Sequence, residues 1–299
     1  RFEEGHKMST GFVASDAARV ELDRWYDKFL SQVESRYPTS AQVIETRLGP
    51  TQIRSAGPKD APPIVLLHGA MATSAHVLVE VAPLLRKYRV HAVDVVGQSW
   101  KSVERRPSHK DNSYSDWVAD VFAGLGLGLA ILYGVSHGGF VALKGLVAHP
   151  QLAKKLVLIV PAGFVNGSAW EGFTQVGWPM MMYKLAPNEA RLRKFFLAIF
   201  STWDEDWGHY FADAMKYMKL DLRVPPLFTV EQTAQLTQPT LVIAAEKDLS
   251  FPGAKLLERA RELFPHAKTD MLEGSRHSPP STEEAREDLA RRVVQFLES

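Results

Sequence analysis

The hydrophobic positions of this chain form short continuous runs that alternate with segments of helical spacing. Residues 63–67 and 129–133 are apolar throughout, and each run leads directly into a glycine-containing turn. Such runs are typical of strands buried on both faces of a parallel sheet. Strands that alternate with helices imply right-handed crossovers. The pattern therefore predicts an α/β fold with a mostly parallel sheet.

Read from the start, the pattern predicts helix 15–37, strands 42–47, 51–55 and 63–67, helix 74–86, strand 90–96, helix 114–125, strand 129–135, a helix to residue 149 and strand 155–160. The alternation stops at residue 161, and it resumes with strand 239–244, helix 254–263, strand 268–272 and a helix from residue 282. We therefore expect an N-terminal extension with a helix over 1–39, an α/β core over 40–164 and 237–299, and an inserted helical cap over 165–236.

A G-x-S-x-G pattern, Gly134-Val135-Ser136-His137-Gly138, stands between a predicted strand and a predicted helix. A turn this tight needs small residues on both sides and pushes the serine Oγ out over the end of the sheet. That arrangement is the nucleophile elbow of acyl-transfer hydrolases. The alternative is a glycine-rich loop with an ordinary surface serine. The strand before the motif and the helix after it favour Ser136 as a nucleophile.

A serine hydroxyl needs a base to take its proton, and the base needs a carboxylate to hold its tautomer. Of the ten histidines, His277 is our candidate base, because it follows strand 268–272 at the same end of the sheet as Ser136. Asp248 follows strand 239–244 at that end too, with Glu246 as the runner-up acid. The chain order Ser136, Asp248, His277 is the order expected on this architecture.

The tetrahedral intermediate of acyl transfer carries a negative oxygen that needs fixed hydrogen-bond donors. The backbone N–H of His137, at the start of a helix, is one candidate. The second is expected on the turn after His68-Gly69, as the backbone N–H of Ala70 with Met71 as the alternative.

The predicted cap holds four of the seven tryptophans and five of the eight methionines. An insertion after a central strand would lie over the carboxyl ends of the strands, so most of its aromatic residues would form its own core and a subset would face Ser136. Apolar residues that face the serine would form a substrate pocket. The pocket candidates are Met71, Trp170, Trp178, Met181, Trp203 and Trp207.

Composition narrows the choice of function. With 35 basic and 34 acidic residues the formal net charge is +1, and nothing indicates a nucleic acid or an anionic membrane as partner. Cysteine is absent, which excludes disulfides, a thiol nucleophile and a cysteine-ligated metal, and we predict no metal site. The most apolar stretch, 123–135, is too short to span a bilayer. No secretory signal is visible, and we expect a cytoplasmic protein; the sequence leaves its oligomeric state open.

The chain resembles the α/β-hydrolase fold superfamily, and within it the bacterial carboxylesterases with a helical cap. The resemblance extends from about residue 40 to the end and is carried by Leu67-His68-Gly69-Ala70, Asp94-Val95-Val96-Gly97, Gly134-Val135-Ser136-His137-Gly138-Gly139, Glu246-Lys247-Asp248 and Gly274-Ser275-Arg276-His277. It implies an eight-stranded sheet, no cofactor and hydrolysis through an acyl-enzyme. Two departures are visible: Ser99 and Trp100 stand where relatives carry a second glycine after Asp94, and the H-G-G-G turn of one lipase and esterase branch is missing.

These observations favour a serine hydrolase that cleaves carboxylic esters of small to medium acyl groups through a Ser-His-Asp triad, with a small-molecule ester as its partner. The same three residues also serve carbon–carbon bond hydrolases and lactonases, and fold does not choose among these reactions. A third hypothesis is a ligand-binding receptor that keeps the fold and turns over slowly.

Overall fold

A computed structural model describes residues 11–299, and residues 1–10 of the predicted extension lie outside the described part. The fold is built on an eight-stranded sheet with the order β1-β2-β4-β3-β5-β6-β7-β8, in which β2 alone runs against the other strands. The strands are β1 (Thr39–Thr46), β2 (Gly49–Ala56), β3 (Pro63–Leu67), β4 (Arg89–Val93), β5 (Ala130–Val135), β6 (Ala153–Ile159), β7 (Thr240–Ala245) and β8 (Lys268–Leu272).

The central strands are buried on both faces, which explains their continuous apolar sequences. In β3, Ile64 and Leu66 face one hydrophobic core while Val65 and Leu67 face the other, and all four side chains are buried. This is the alternation that the pleat of a strand imposes. The two cores lie on opposite sides of one sheet.

Helices cover both faces of the sheet. Helices α1 (Asp16–Glu34), α2 (Ser74–Glu80) and α11 (Glu283–Leu297) pack in the first core; α3 (Ser113–Gly124), α4 (His137–Ala148) and α10 (Gly253–Leu263) pack in the second. The predicted α/β-hydrolase fold, with its mostly parallel eight-stranded sheet, is confirmed.

Two predicted elements end earlier than the sequence pattern indicated, for identifiable reasons. The helix predicted over 74–86 stops at Glu80 and is followed by a 3₁₀ turn, Ala82–Arg86, because Pro83 has no N–H to continue an α-helix. The strand predicted over 90–96 stops at Val93, because the next residue, Asp94, turns its carboxylate into a buried hydrogen-bond cluster.

The 165–236 segment between β6 and β7 is helical, and its elements are α5 (Ala169–Gly172), a π-helical turn (Phe173–Gly177), α6 (Trp178–Leu185), α7 (Glu189–Ile199), α8 (Glu205–Tyr217) and α9 (Val230–Thr233). Its own small core is formed by buried side chains of α7 and α8, among them Phe196 and Phe211. The segment thus carries a hydrophobic cluster separate from the two cores of the sheet.

Within residues 11–299, no helix combines the length and the apolar character that a membrane crossing requires. The same part of the chain contains no group of three or more His, Asp or Glu side chains arranged to hold a metal ion.

Candidate active site

Ser136 occupies the turn between β5 and α4 with a left-handed backbone conformation, φ 52°. The turn is fixed on both sides: the Ser136 N–H donates to the Ile159 carbonyl at 2.9 Å, and the Ser136 carbonyl accepts from the N–H of Ala162 at 3.0 Å. These bonds tie the serine to the end of β6. A positive φ is costly for a residue with a Cβ, so the surrounding structure must hold the turn in place.

The turn needs glycines because neighbouring backbone atoms lie where a Cβ would otherwise be. A Cβ at Gly138 would lie 2.1 Å from the carbonyl oxygen of Leu67 in β3, and that oxygen belongs to a backbone that cannot shift without disturbing the sheet. We expect Gly138→Ala to lower the free energy of unfolding by about 3 kcal/mol. The control is Gly172→Ala in α5, where a Cβ meets no atom within 4 Å and alanine favours the helix. Urea denaturation of both variants measures the difference; equal midpoints would contradict the argument.

His277 lies between Ser136 and Asp248 and contacts both. The distance from His277 Nε2 to Ser136 Oγ is 2.9 Å, and the distance from His277 Nδ1 to Asp248 Oδ2 is 2.7 Å. The Asp248 carboxylate is an acceptor, so Nδ1 carries the proton and Nε2 is left free to accept the serine proton. The Asp248 side chain is fully buried, and its Oδ1 accepts from the N–H groups of Ser250 and Phe251 at 2.7 and 3.1 Å.

The runner-up acid, Glu246, has a different place. Its Oε2 accepts from the N–H of Gly274 at 2.7 Å, which ties the loop after β7 to the loop that carries His277. A second tie comes from the 165–236 segment, where the Ile199 carbonyl accepts from Ser278 N–H at 3.0 Å and Ser201 Oγ accepts from Arg276 N–H at 2.8 Å. Ser201 had no motif that could have indicated this role.

The turn after β3 lies directly against the serine. A Cβ built on Gly69 would be 3.2 Å from Ser136 Cβ and 3.8 Å from its Oγ. Within residues 11–299, the backbone N–H groups of Ala70, Met71 and His137 donate to no hydrogen-bond acceptor. The two segments that the sequence indicated as sources of oxyanion donors therefore lie close together around Ser136, with unused amides.

The ring of His68 holds this turn in position. Its Nδ1 donates to the Gly69 carbonyl at 2.8 Å, and its Nε2 accepts from the Val95 N–H at 2.9 Å. Complete burial lowers the pKa of His68, and only a neutral ring can accept at Nε2. The sequence indicated only the turn that follows His68-Gly69, so the contribution of this ring is visible only in the structure.

The buried ring of His137, unlike that of His68, does not hold a turn of the active site in position. Burial, followed by the nearby His109, lowers the pKa of His137 to about 3, which keeps the ring neutral. Its side chain packs beside Phe140 and does not line the cavity at Ser136. For catalysis, His137 therefore offers only its backbone.

Ser99 and Trp100, which depart from the pattern of the proteins that this sequence resembles, have structural roles. Ser99 Oγ donates to the buried Asp94 carboxylate at 2.7 Å, and Trp100 Nε1 donates to Asp23 in α1 at 2.8 Å. Neither Ser99 nor Trp100 lines the cavity.

A cavity of about 380 Å³ opens at Ser136 and His277. The other residues of its wall come from the turn after β3, α2, the ends of β5 and β6, the loops after β7 and β8, α11 and the 165–236 segment; that segment contributes Ile199, Phe200, Trp207 and Phe211. Most of the wall is apolar. Three residues of the cavity wall have a positive φ, namely Met71, Ser136 and Val160, and they are the non-glycine residues in that conformation within residues 11–299.

Two of the six pocket candidates, Met71 and Trp207, line this cavity, and four do not. Trp170, Trp178 and Met181 lie on the outer face of the helix that runs from α5 to α6 and are 73%, 49% and 39% exposed. Trp203 packs instead against Phe196 and stacks under the guanidinium of Arg193. The structure therefore does not bring these four candidates to the cavity wall at Ser136.

Comparison with known proteins gives a family and several relatives. The family model described as alpha/beta hydrolase fold matches residues 62–283. Carboxylesterase YbfK of Bacillus subtilis (strain 168) is 26% identical over 293 residues, which cover 94% of this chain and 96% of that protein. A second protein of the same strain, named uncharacterized carboxylesterase nap, is 26% identical over 249 residues, or 78% of this chain and 79% of the relative.

Among solved structures, naproxen esterase (carboxylesterase NP) from Bacillus subtilis superimposes with a TM-score of 0.76 at 24% identity. The superposition covers 93% of this chain and 98% of that one. The likeness therefore extends over the 165–236 segment as well as the sheet and its helices.

Proposed function

The chain belongs to the alpha/beta hydrolase fold family, and from this premise we propose that it is a serine hydrolase that cleaves carboxylic esters through an acyl-enzyme. The observation that carries the proposal is the pair of contacts at His277, 2.9 Å to Ser136 Oγ and 2.7 Å to Asp248 Oδ2. The similarity to bacterial carboxylesterases, which are named for this reaction, supports it.

In this mechanism His277 Nε2 takes the proton as Ser136 Oγ attacks the ester carbonyl, and Asp248 stabilises the imidazolium that forms. The negative oxygen of the intermediate is held by the N–H groups of His137 and Ala70, with Met71 as the alternative second donor. His277 then gives its proton to the leaving alcohol, and a water molecule repeats the sequence to release the acid. The unused amides beside Ser136 support this assignment.

The volume of the cavity supports the proposal that the substrates carry small to medium acyl groups. Its volume of about 380 Å³ lies near the lower end of the range of about 300–1,000 Å³ that ligand pockets span. The 165–236 segment supplies part of the wall, so we propose that it acts as a cap over the site.

A substrate panel tests the proposal: p-nitrophenyl esters from acetate to dodecanoate, a set of lactones and a vinylogous diketone. The proposed function predicts rapid turnover of short and medium esters and slow turnover of the other two classes. Slow esters together with a fast lactone or diketone would instead support the same residues in a lactonase or a carbon–carbon bond hydrolase.

Phe200 is placed to limit acyl length. Its ring lines the cavity, stacks on Phe196 with centroids 3.9 Å apart and approaches Trp207 and Phe211. We expect Phe200→Ala to raise the ratio of kcat/KM for p-nitrophenyl octanoate over acetate by about tenfold, a size typical of discrimination in apolar pockets.

The matched control is Phe173→Ala, which removes a half-exposed ring of the same segment outside the cavity. The ratio should stay at the wild-type value in this variant. An unchanged ratio in Phe200→Ala, or an equal rise in both variants, would remove Phe200 as the limit on acyl length.

A further inference from the structure

The cavity at Ser136 has polar side chains in its wall besides those assigned to catalysis. Besides the loop serines Ser250, Ser278 and Ser281, these are His76 and Glu80 from α2, Tyr133 from β5 and Arg286 from α11. Because most of the wall is apolar, a bound ligand finds few side chains with which it can form a hydrogen bond. The four that lie on helices and strands differ in whether a hydrogen-bonding atom remains free.

Glu80 and Arg286 satisfy each other. Arg286 donates to both carboxylate oxygens of Glu80, at 3.0 and 3.3 Å, and Trp207 Nε1 adds a third donor at 3.3 Å. The pair has no net charge. A charged substrate group would have to break this ion pair to bind, so the cavity suits an uncharged one.

Tyr133 is different. The residue is 1% exposed, and its hydroxyl forms no hydrogen bond with any residue from 11 to 299. Tyr26, Tyr114 and Tyr210 are as deeply buried, and each of them has a hydrogen-bond partner. A tyrosine hydroxyl that belongs to an apolar cavity wall and has no protein partner is available to hydrogen-bond a polar group of a ligand.

The position of Tyr133 relates this hydroxyl to the reaction. Tyr133 and Val135 lie on the same face of β5, both line the cavity, and Ser136 follows at the end of the strand. Ser136 is three positions after Tyr133, which is about 10 Å along an extended strand. Burial, and then the negative charge of Glu80, raises the pKa of Tyr133, so its hydroxyl stays protonated and can donate.

His76, another residue of the cavity wall, carries a second unused atom. Its ring is fully buried and its Nδ1 pairs with Thr73 Oγ1 at 2.7 Å, while Nε2 has no partner in the described part of the chain. Burial lowers the pKa of His76 well below its usual value, so the ring is neutral. Both free groups are therefore uncharged.

We propose that the substrate carries, on the apolar part that enters this cavity, an uncharged acceptor oxygen such as an ether, ketone or hydroxyl, and that this oxygen accepts a hydrogen bond from Tyr133. Tyr133 is then a specificity-determining residue. The inference rests on the proposed ester hydrolysis and names the class of ester.

The test compares matched p-nitrophenyl esters of equal chain length, one all-carbon and the others with one methylene replaced by an ether oxygen at successive positions. A second series places the oxygen in the alcohol part, so that either half of the ester can reach Tyr133. For each pair, kcat/KM of the oxygen-bearing ester is divided by that of the all-carbon ester. In Tyr133→Phe this ratio should fall about three- to tenfold at the favoured position, the effect of one neutral hydrogen bond.

The matched control is Tyr88→Phe, the same change at a buried tyrosine of the same core whose ring does not line the cavity. Its ratio should equal that of the wild type. A second measurement uses the Ser136→Ala protein with and without Tyr133→Phe, in which calorimetry gives the Kd of the intact esters. There, too, Tyr133→Phe should weaken binding of the oxygen-bearing ester about three- to tenfold relative to its all-carbon partner.

Equal ratios in wild type and Tyr133→Phe at every position of both series would overturn this inference alone, because esters would still be cleaved. An equal fall in Tyr88→Phe would also overturn it. If the wild-type protein cleaves no ester at all, the proposed function fails, and this inference fails with it.

Discussion

Replacing Ser136 with alanine should reduce kcat/KM for p-nitrophenyl butyrate about a million-fold, leaving only the acceleration that the binding site and the backbone donors provide. The reason is that no other group in contact with His277 Nε2 can form the acyl-enzyme. The variant should fold normally, because the Ser136 hydroxyl hydrogen-bonds only to His277 among the described residues, while the bonds that fix the turn come from its backbone. Initial rates on a purified sample, with circular dichroism as the folding check, measure both.

The matched control is Ser275→Ala, a buried serine two residues before His277 whose hydroxyl does not line the cavity. Its activity should stay within about threefold of the wild type. A fluorophosphonate probe gives an independent reading, since it should label the wild-type protein at Ser136 and leave Ser136→Ala unlabelled. Labelling of neither protein, together with unimpaired ligand binding, would favour the receptor hypothesis over an enzyme.

The sheet and the convergence of Ser136, Asp248 and His277 could be predicted because they depend on local rules. Strands buried on both faces must be apolar throughout, as residues 63–67 are, and parallel strands bring their carboxyl ends to one edge. Any residue just after β5, β7 or β8 therefore arrives at the same place. The distances at His277 agree with that expectation, while the catalytic roles themselves stay a prediction until the variants are measured.

The walls of the cavity could not be predicted in the same way. Which face of a short inserted helix meets the sheet depends on tertiary packing, and aromatic content gives no sign of it; Trp170 and Trp178 are exposed and lie outside the cavity wall. Glu80 and Arg286 come from helices 206 residues apart and have no motif. Tyr133 did have a signal, since strand alternation places it on the face of Val135 three residues before the serine.

Asp248→Asn should lower kcat about ten-thousand-fold while leaving the fold and KM nearly unchanged, the size of loss seen when a serine hydrolase's base is held in the wrong tautomer. The structure gives the reason. Oδ1 of Asp248 accepts from the N–H groups of Ser250 and Phe251, so in the variant the amide oxygen must take that place. The amide NH₂ then faces His277 Nδ1, which has to accept instead of donate. The imidazole proton moves to Nε2, and the ring can no longer take the proton of Ser136.

The matched control is Glu246→Gln, the same change at the neighbouring acid. The glutamine oxygen can still accept from the Gly274 N–H, and the imidazole of His277 hydrogen-bonds to Asp248 and Ser136, not to residue 246, so activity should stay within about threefold of the wild type. Steady-state kinetics of the two variants on one ester show which of the two carboxylates activity depends on. If Asp248→Asn retained more than about a hundredth of the wild-type kcat, or if Glu246→Gln lost as much, the carboxylate that orients His277 would not be Asp248. The N–H groups of Ser250 and Phe251 fix the orientation of an asparagine at position 248, because both must donate to its amide oxygen. The predicted loss of activity therefore follows from this orientation as well as from the lost charge of Asp248.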